Sequence, residues 1–167
     1  MEPGSRVVIQ VHSNTLGTDP GPDQTTVLFQ TSETGDKVGV CHLWASPAWL
    51  QGGAMTIPAG DPAVSHRFSL DPTLTTGGRP ITLYSGNIHM HLLGREATTY
   101  VVRESGETEC LVQINDYDFS WQSGVGFTQP VTVNAGDKLV IECTWDNSTA
   151  NQPIINGEQI TPADRAW

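Results

Sequence analysis

The chain has 167 residues, 16% of them charged, with 17 Gly, 11 Pro and a formal net charge of −10. That length builds one domain of ordinary size with enough chain to bury a core. The acidity repels phosphate backbones and argues against nucleic acid as a partner, and no apolar run approaches the roughly 20 residues of a membrane span.

The Thr- and Val-rich composition, punctuated by Gly and Pro, suits short strands and tight turns. Met1-Glu2-Pro3-Gly4 carries neither a basic nor an apolar leader, as expected for a cytoplasmic protein or a piece of a longer one. Val7 to His12 reads as a strand, Thr15 to Gln24 as a loop, Thr25 to Thr31 as a second strand, and Lys37 to Ala45 as a third. Ala54 to Ile57 is a short strand closed by Pro58-Ala59-Gly60-Asp61. Val64 to Leu70 alternates with period two, placing Val64, His66, Phe68 and Leu70 on one face. Pro80 to Leu93 is apolar and β-rich, with a break at Ser85-Gly86-Asn87.

Two hairpins follow. Ala97 to Arg103 and Glu109 to Ile114 flank Glu104-Ser105-Gly106-Glu107-Thr108; Val131 to Val133 and Lys138 to Trp145 flank Asn134-Ala135-Gly136-Asp137. Residues 146–167 are polar and Pro/Asn-rich, an irregular tail with no clear strand. The pattern predicts an all-β chain: a single antiparallel β-sandwich or jelly roll over residues 1–167, of about nine or ten strands.

The chemistry-bearing feature is His89-Met90-His91. On an extended strand, residues two apart share a face, so two imidazoles so spaced can reach one metal ion. Imidazole suits copper, zinc, iron and nickel, and the pair does not choose among them. Ile88 and Leu92-Leu93 are apolar, which shelters the strand and calls for a partner for each ring. His12, at the end of the first strand, reads on its own as a solvent-side histidine, and His66 as a hydrogen-bonded core histidine. His42 beside Cys41 makes no metal pair, because neighbours on a strand point to opposite faces.

Asp116-Tyr117-Asp118 reads as a solvated loop, and Trp121, Trp145, Phe119 and Phe127 as core and rim packing. Asn147-Ser148-Thr149 fits the glycosylation sequon. Cys41, Cys110 and Cys143 are an odd number, so at least one thiol has no internal partner. Three reduced thiols and a disulfide framework cut short both remain open.

Several segments, in order, resemble the copper type II, ascorbate-dependent monooxygenases, the family of the peptidylglycine and dopamine β-hydroxylases. Val8-Ile9-Gln10-Val11-His12 is similar to the last strand of the family's N-terminal domain, with Ser13 where an aromatic usually stands. Ile57-Pro58-Ala59-Gly60 resembles the turn that opens the C-terminal domain. Ile88-His89-Met90-His91-Leu92-Leu93-Gly94 resembles the His-x-His strand, and Val133 through Cys143 the Gly-Asp hairpin and its Cys-bearing strand. Residues 1–14 thus match the end of the first domain, and residues 25–145 the C-terminal catalytic domain.

The resemblance implies that His89 and His91 are two of three ligands of the oxygen-binding copper, and that His12 is a ligand of the electron-transfer copper. It implies hydroxylation of an activated C–H bond with O2 and ascorbate, on a small-molecule or peptide substrate. The family's third ligand is a Met just before a Cys downstream of the last hairpin. Neither follows here, so the expectation is a chain lacking the N-terminal copper domain and the Met-Cys segment, inactive in isolation. Cys143 would pair with that Cys. The family is mostly secreted or lumenal, so the resemblance implies an extracellular, lumenal or periplasmic location if the parent protein is secreted.

Two other readings compete. A cupin has His-x-His followed by a Glu, and Glu96 fits, but Leu83 and Arg103 stand where its glycines belong and no His follows His91. A non-catalytic β-sandwich binding module needs no metal at all.

Overall fold

The computed structural model describes residues 4, 6–11, 21–22, 24–35, 39–51 and 53–166. The chain divides into two compact units, Met1–Cys41 and His42–Trp167.

In the first unit the described parts of the two expected strands, 7–11 and 25–31, form no strand; nor do residues 39–45 of the third, which run from the first unit into the second. Apolar, β-branched residues become a strand only where a neighbour takes their backbone hydrogen bonds. Here Val8 is 87% and Leu28 90% exposed, and no strand pairs with them among the described residues.

The second unit is all-β. Its strands are β1 (Thr56–Ile57), β2 (Val64–Leu70), β3 (Ile81–Gly86), β4 (Gly94–Val102), β5 (Thr108–Ile114), β6 (Val125–Val133), β7 (Lys138–Trp145), β8 (Ile154–Ile155), β9 (Glu158–Gln159) and β10 (Arg165–Ala166). Every pairing is antiparallel. A four-stranded sheet has the order β2-β7-β4-β5, and β3 pairs with β6. Side chains from both contribute to one apolar cluster: Val101, Leu139 and Leu111 from the larger sheet, Val133, Leu83 and Val131 from the smaller. A second cluster holds Ile88, Met90, Ala97, Val112, Tyr117, Cys143 and Trp145. This is the layered core of a β-sandwich.

The period-two reading of Val64 to Leu70 and the reading of Lys138 to Trp145 coincide with β2 and β7. The smaller sheet holds a surprise, because β6 begins at Val125 and runs through Pro130. Register shifts between Leu83↔Val131 and Ser85↔Gly126. Pro130 falls in this irregular stretch, where a missing N–H breaks no ladder bond.

The tail is also more ordered than its composition suggests. Asn156 and Gly157 both have positive φ, 54° and 84°, and join β8 to β9. Asn-Gly is the strongest two-residue hairpin signal, and it corrects the reading of 146–167 as irregular. β10 then returns to pair with β1, with Thr56 opposite Ala166.

Candidate metal centre

His89 and His91 do not lie in a sheet strand. They sit in the connection between β3 and β4, which corrects the expectation of a hydrogen-bonded strand. The alternation survives without the ladder. Ile88 is 3% exposed and Met90 0%, while His89 and His91 are both exposed. Two buried apolar anchors, each followed by a histidine, therefore turn both rings outward.

Tyr117 replaces the absent ladder. Its buried hydroxyl accepts from the Met90 N–H at 3.0 Å and donates to the Met90 carbonyl at 2.8 Å. Both backbone groups of the residue between the histidines are thereby satisfied, as a buried backbone requires. Tyr117 is held in turn by its own N–H, which donates to the Arg95 carbonyl at 2.7 Å. Gly94 closes the segment: its N–H donates to the His91 carbonyl at 2.8 Å. A Cβ there would lie 2.8 Å from Met90 Cβ and 3.1 Å from the His91 carbonyl oxygen, so the glycine is required by close approach.

The ring centres of His89 and His91 are 5.2 Å apart, with planes at 83°. Two imidazoles bound side by side to one ion, each nitrogen about 2 Å from it, have ring centres about 5 Å apart. The pair fits that requirement. Burial, and then the charge of His89, hold the His91 imidazole below the ordinary histidine range, favouring the neutral form that binds metal. The Phe119 ring meets His91 edge-on at 6.2 Å.

His89 is oriented by Gln122. The Gln122 Nε2 donates to the Phe119 carbonyl at 2.8 Å, which leaves its Oε1 facing His89 Nδ1. An amide oxygen only accepts, so Nδ1 carries a proton and donates, and in the neutral ring the lone pair is on Nε2.

The described residues contain no group of three His, Cys, Asp or Glu side chains able to hold a metal. Glu96 thus does not complete a cupin-like triad. Met90 and Met55, 0% and 2% exposed, are committed to the core. His12 lies outside the described residues. His66 belongs to the packing, as expected: its Nε2 donates to the Thr56 carbonyl at 3.0 Å, and it lies between Trp49 and Trp145.

Asp116 pairs with Arg95 at 3.6 Å, and Asp118 accepts from the Ser120 N–H, so both acids serve the loop. Trp145 is core at 2% exposed, and Trp121 is rim at 78%. Cys41, Cys110 and Cys143 are all free thiols, so no disulfide forms here. Burial pushes the Cys143 thiol up to about 12. The sequon residue Asn147 is 0% exposed, its Nδ2 donating to the carbonyls of Ile57, Pro58 and Ala163.

Comparison with known proteins now identifies the setting. Residues 53–162 match the family described as copper type II ascorbate-dependent monooxygenase, C-terminal domain. The chain belongs to this family. Within it, human dopamine beta-hydroxylase is 30% identical over 77 residues, covering 46% of this chain and 12% of the relative. The bovine dopamine beta-hydroxylase is 29% identical over the same length, covering 13% of that protein. The matched region is thus about an eighth of these relatives. The family's name carries copper and a dependence on ascorbate, and the two exposed imidazoles lie inside the matched region.

Gln122 and Tyr117 are the site residues that sequence reasoning missed as such. Tyr117 had a visible signal, a lone aromatic between two acids, which read as loop. Gln122 had none.

Proposed function

We propose that this chain is part of a copper-dependent monooxygenase that hydroxylates an activated C–H bond with O2 and ascorbate, and that His89 and His91 hold one of its copper ions. The observation that carries this reading is the outward-facing ring pair, 5.2 Å between centres, inside the region that matches the family. Copper bound there supplies oxygen activation and one-electron chemistry.

The chain's own contribution is positional. Ile88 and Met90 anchor the segment in the core, Tyr117 fixes the backbone between the histidines, and both rings are turned outward. The remaining donor, a soft thioether suited to Cu(I), comes in this reading from outside the described residues. His12 serves the second copper together with an N-terminal copper domain. The substrate is a small molecule or a peptide.

Metal analysis of the purified chain tests the proposal. The expected result is one copper per chain, lost in His89→Ala and in His91→Ala. Because one donor is supplied from elsewhere, no ascorbate-dependent O2 consumption with turnover is expected from the 167 residues alone. Copper retention that ignores both substitutions would defeat the assignment. Iron or manganese in its place would favour a cupin-like enzyme, and no retained metal a non-catalytic module.

A further inference from the structure

We infer that Gln122 is a positioning residue of the copper centre: its side-chain oxygen selects the His89 tautomer and so sets the affinity of the pair for copper. The inference rests on the copper reading above and goes beyond it to a residue outside the ligand set.

Three observations carry it. The first is the direction of the amide. Gln122 Nε2 donates to the Phe119 carbonyl at 2.8 Å; a flipped amide would set oxygen against oxygen there and two N–H donors against His89. The acceptor end is therefore fixed toward Nδ1. The second is the rigidity of the loop joining β5 to β6, which carries Gln122. The Trp121 N–H donates to the Asp118 carbonyl at 3.0 Å, the Ser120 N–H to Asp118 Oδ1 at 2.8 Å, and the Tyr117 N–H to the Arg95 carbonyl at 2.7 Å. An exposed glutamine on an unheld loop would spread over many rotamers; this one is tied at both its base and its tip.

The third is that the same loop touches the histidine segment three times. Tyr117 grips the Met90 backbone, Phe119 lies against the His91 ring, and Gln122 bonds His89. One loop thus fixes the backbone, one ring and one tautomer.

A histidine ligand ordinarily donates its second N–H to an oxygen, which orients the ring and raises the basicity of the binding nitrogen. Gln122 meets that description: its oxygen accepts from Nδ1–H, so that in the neutral ring Nε2 is the binding nitrogen. Removing such a partner costs 10–100-fold in metal affinity in comparable sites.

The test uses the full chain, with Gln122→Leu and Gln122→Glu. Nitrogen NMR of the metal-free protein reads the His89 tautomer, amide spectra confirm folding, and anaerobic Cu(I) titration against a colorimetric chelator reads affinity. Wild type is expected to show Nδ1–H. Gln122→Leu should lose that signature and bind Cu(I) about 10–100-fold more weakly. Gln122→Glu keeps the acceptor but loses the donor to the Phe119 carbonyl, and should restore the tautomer signature and part of the affinity. Gln122→Leu with an unchanged tautomer and wild-type affinity overturns the inference. A wild-type chain that takes up no Cu(I) defeats the copper reading instead, while the metal-free spectra still decide whether Gln122 sets the tautomer.

Discussion

The two ends of β4 handle polar groups in opposite ways. Beyond Val102, Arg103 donates to the Thr132 carbonyl and to Asp137 at 2.8 Å and pairs with Glu109. Asp137, 4% exposed, also accepts from the backbone N–H groups of Glu104 and Asn134. This clamp ties the β4–β5 turn to the β6–β7 turn, and its charges are directed at one another. At the Gly94 end, roughly 26 Å away along the strand, the polar groups are held by the fold but displayed outward. Satisfied charges make a scaffold; oriented and exposed rings make a site.

That contrast can be broken at the clamp first. Asp137→Ala removes a charge and three accepted hydrogen bonds, and should lower stability by about 3 kcal/mol in urea denaturation, with Cu(I) affinity unchanged. Acid should do the same. The Asn134 N–H, and also Arg103, hold the Asp137 carboxyl below its ordinary value of 3.8. Its stabilisation is therefore present above that pH and lost as pH falls through the lower, folded-state value.

At the other end, Tyr117→Phe leaves both backbone groups of Met90 unpaired. It should cost about 1–3 kcal/mol and, unlike the clamp variant, weaken Cu(I) binding. Gly94→Ala pushes into Met90 and should cost about 1–3 kcal/mol, again with weaker copper binding. An affinity untouched by either change would show that the histidine pair does not depend on this scaffold. Combining Asp137→Ala with Tyr117→Phe should give additive losses within about 0.5 kcal/mol, since the two share no partner.

The smallest effect belongs to Cys143, between the two ends on β7. Its thiol, raised to about 12, should resist alkylation at pH 8 while exposed Cys110 reacts, as read by mass spectrometry. The unfolded thiol ionises near 9, so this contribution to stability is complete below that pH and declines as pH rises toward 12.

What could be read from the chain follows the range of each interaction. Val64 to Leu70 and Lys138 to Trp145 alternate strongly, and local pattern located both strands. The histidine pair was legible because its spacing is local as well. Its support was not: Gln122 lies 33 residues from His89, and only the folded loop brings them together. The described parts of Val7 to His12 and Thr25 to Thr31 misled for the converse reason: among the described residues no strand pairs with them, and propensity without a partner makes no strand. At Asn156-Gly157 the signal was present, but its two-residue flanking strands are too short to show alternation.

Asn147 carries one last consequence. Its amide fastens the turn after β1 to the approach of β10, and the glycosylation machinery would need that same nitrogen. A sugar there must be added before the knot is tied and would then prevent its tying. Carbohydrate on Asn147 would therefore mark molecules that missed this fold, a biosynthetic timestamp rather than a decoration of the mature surface.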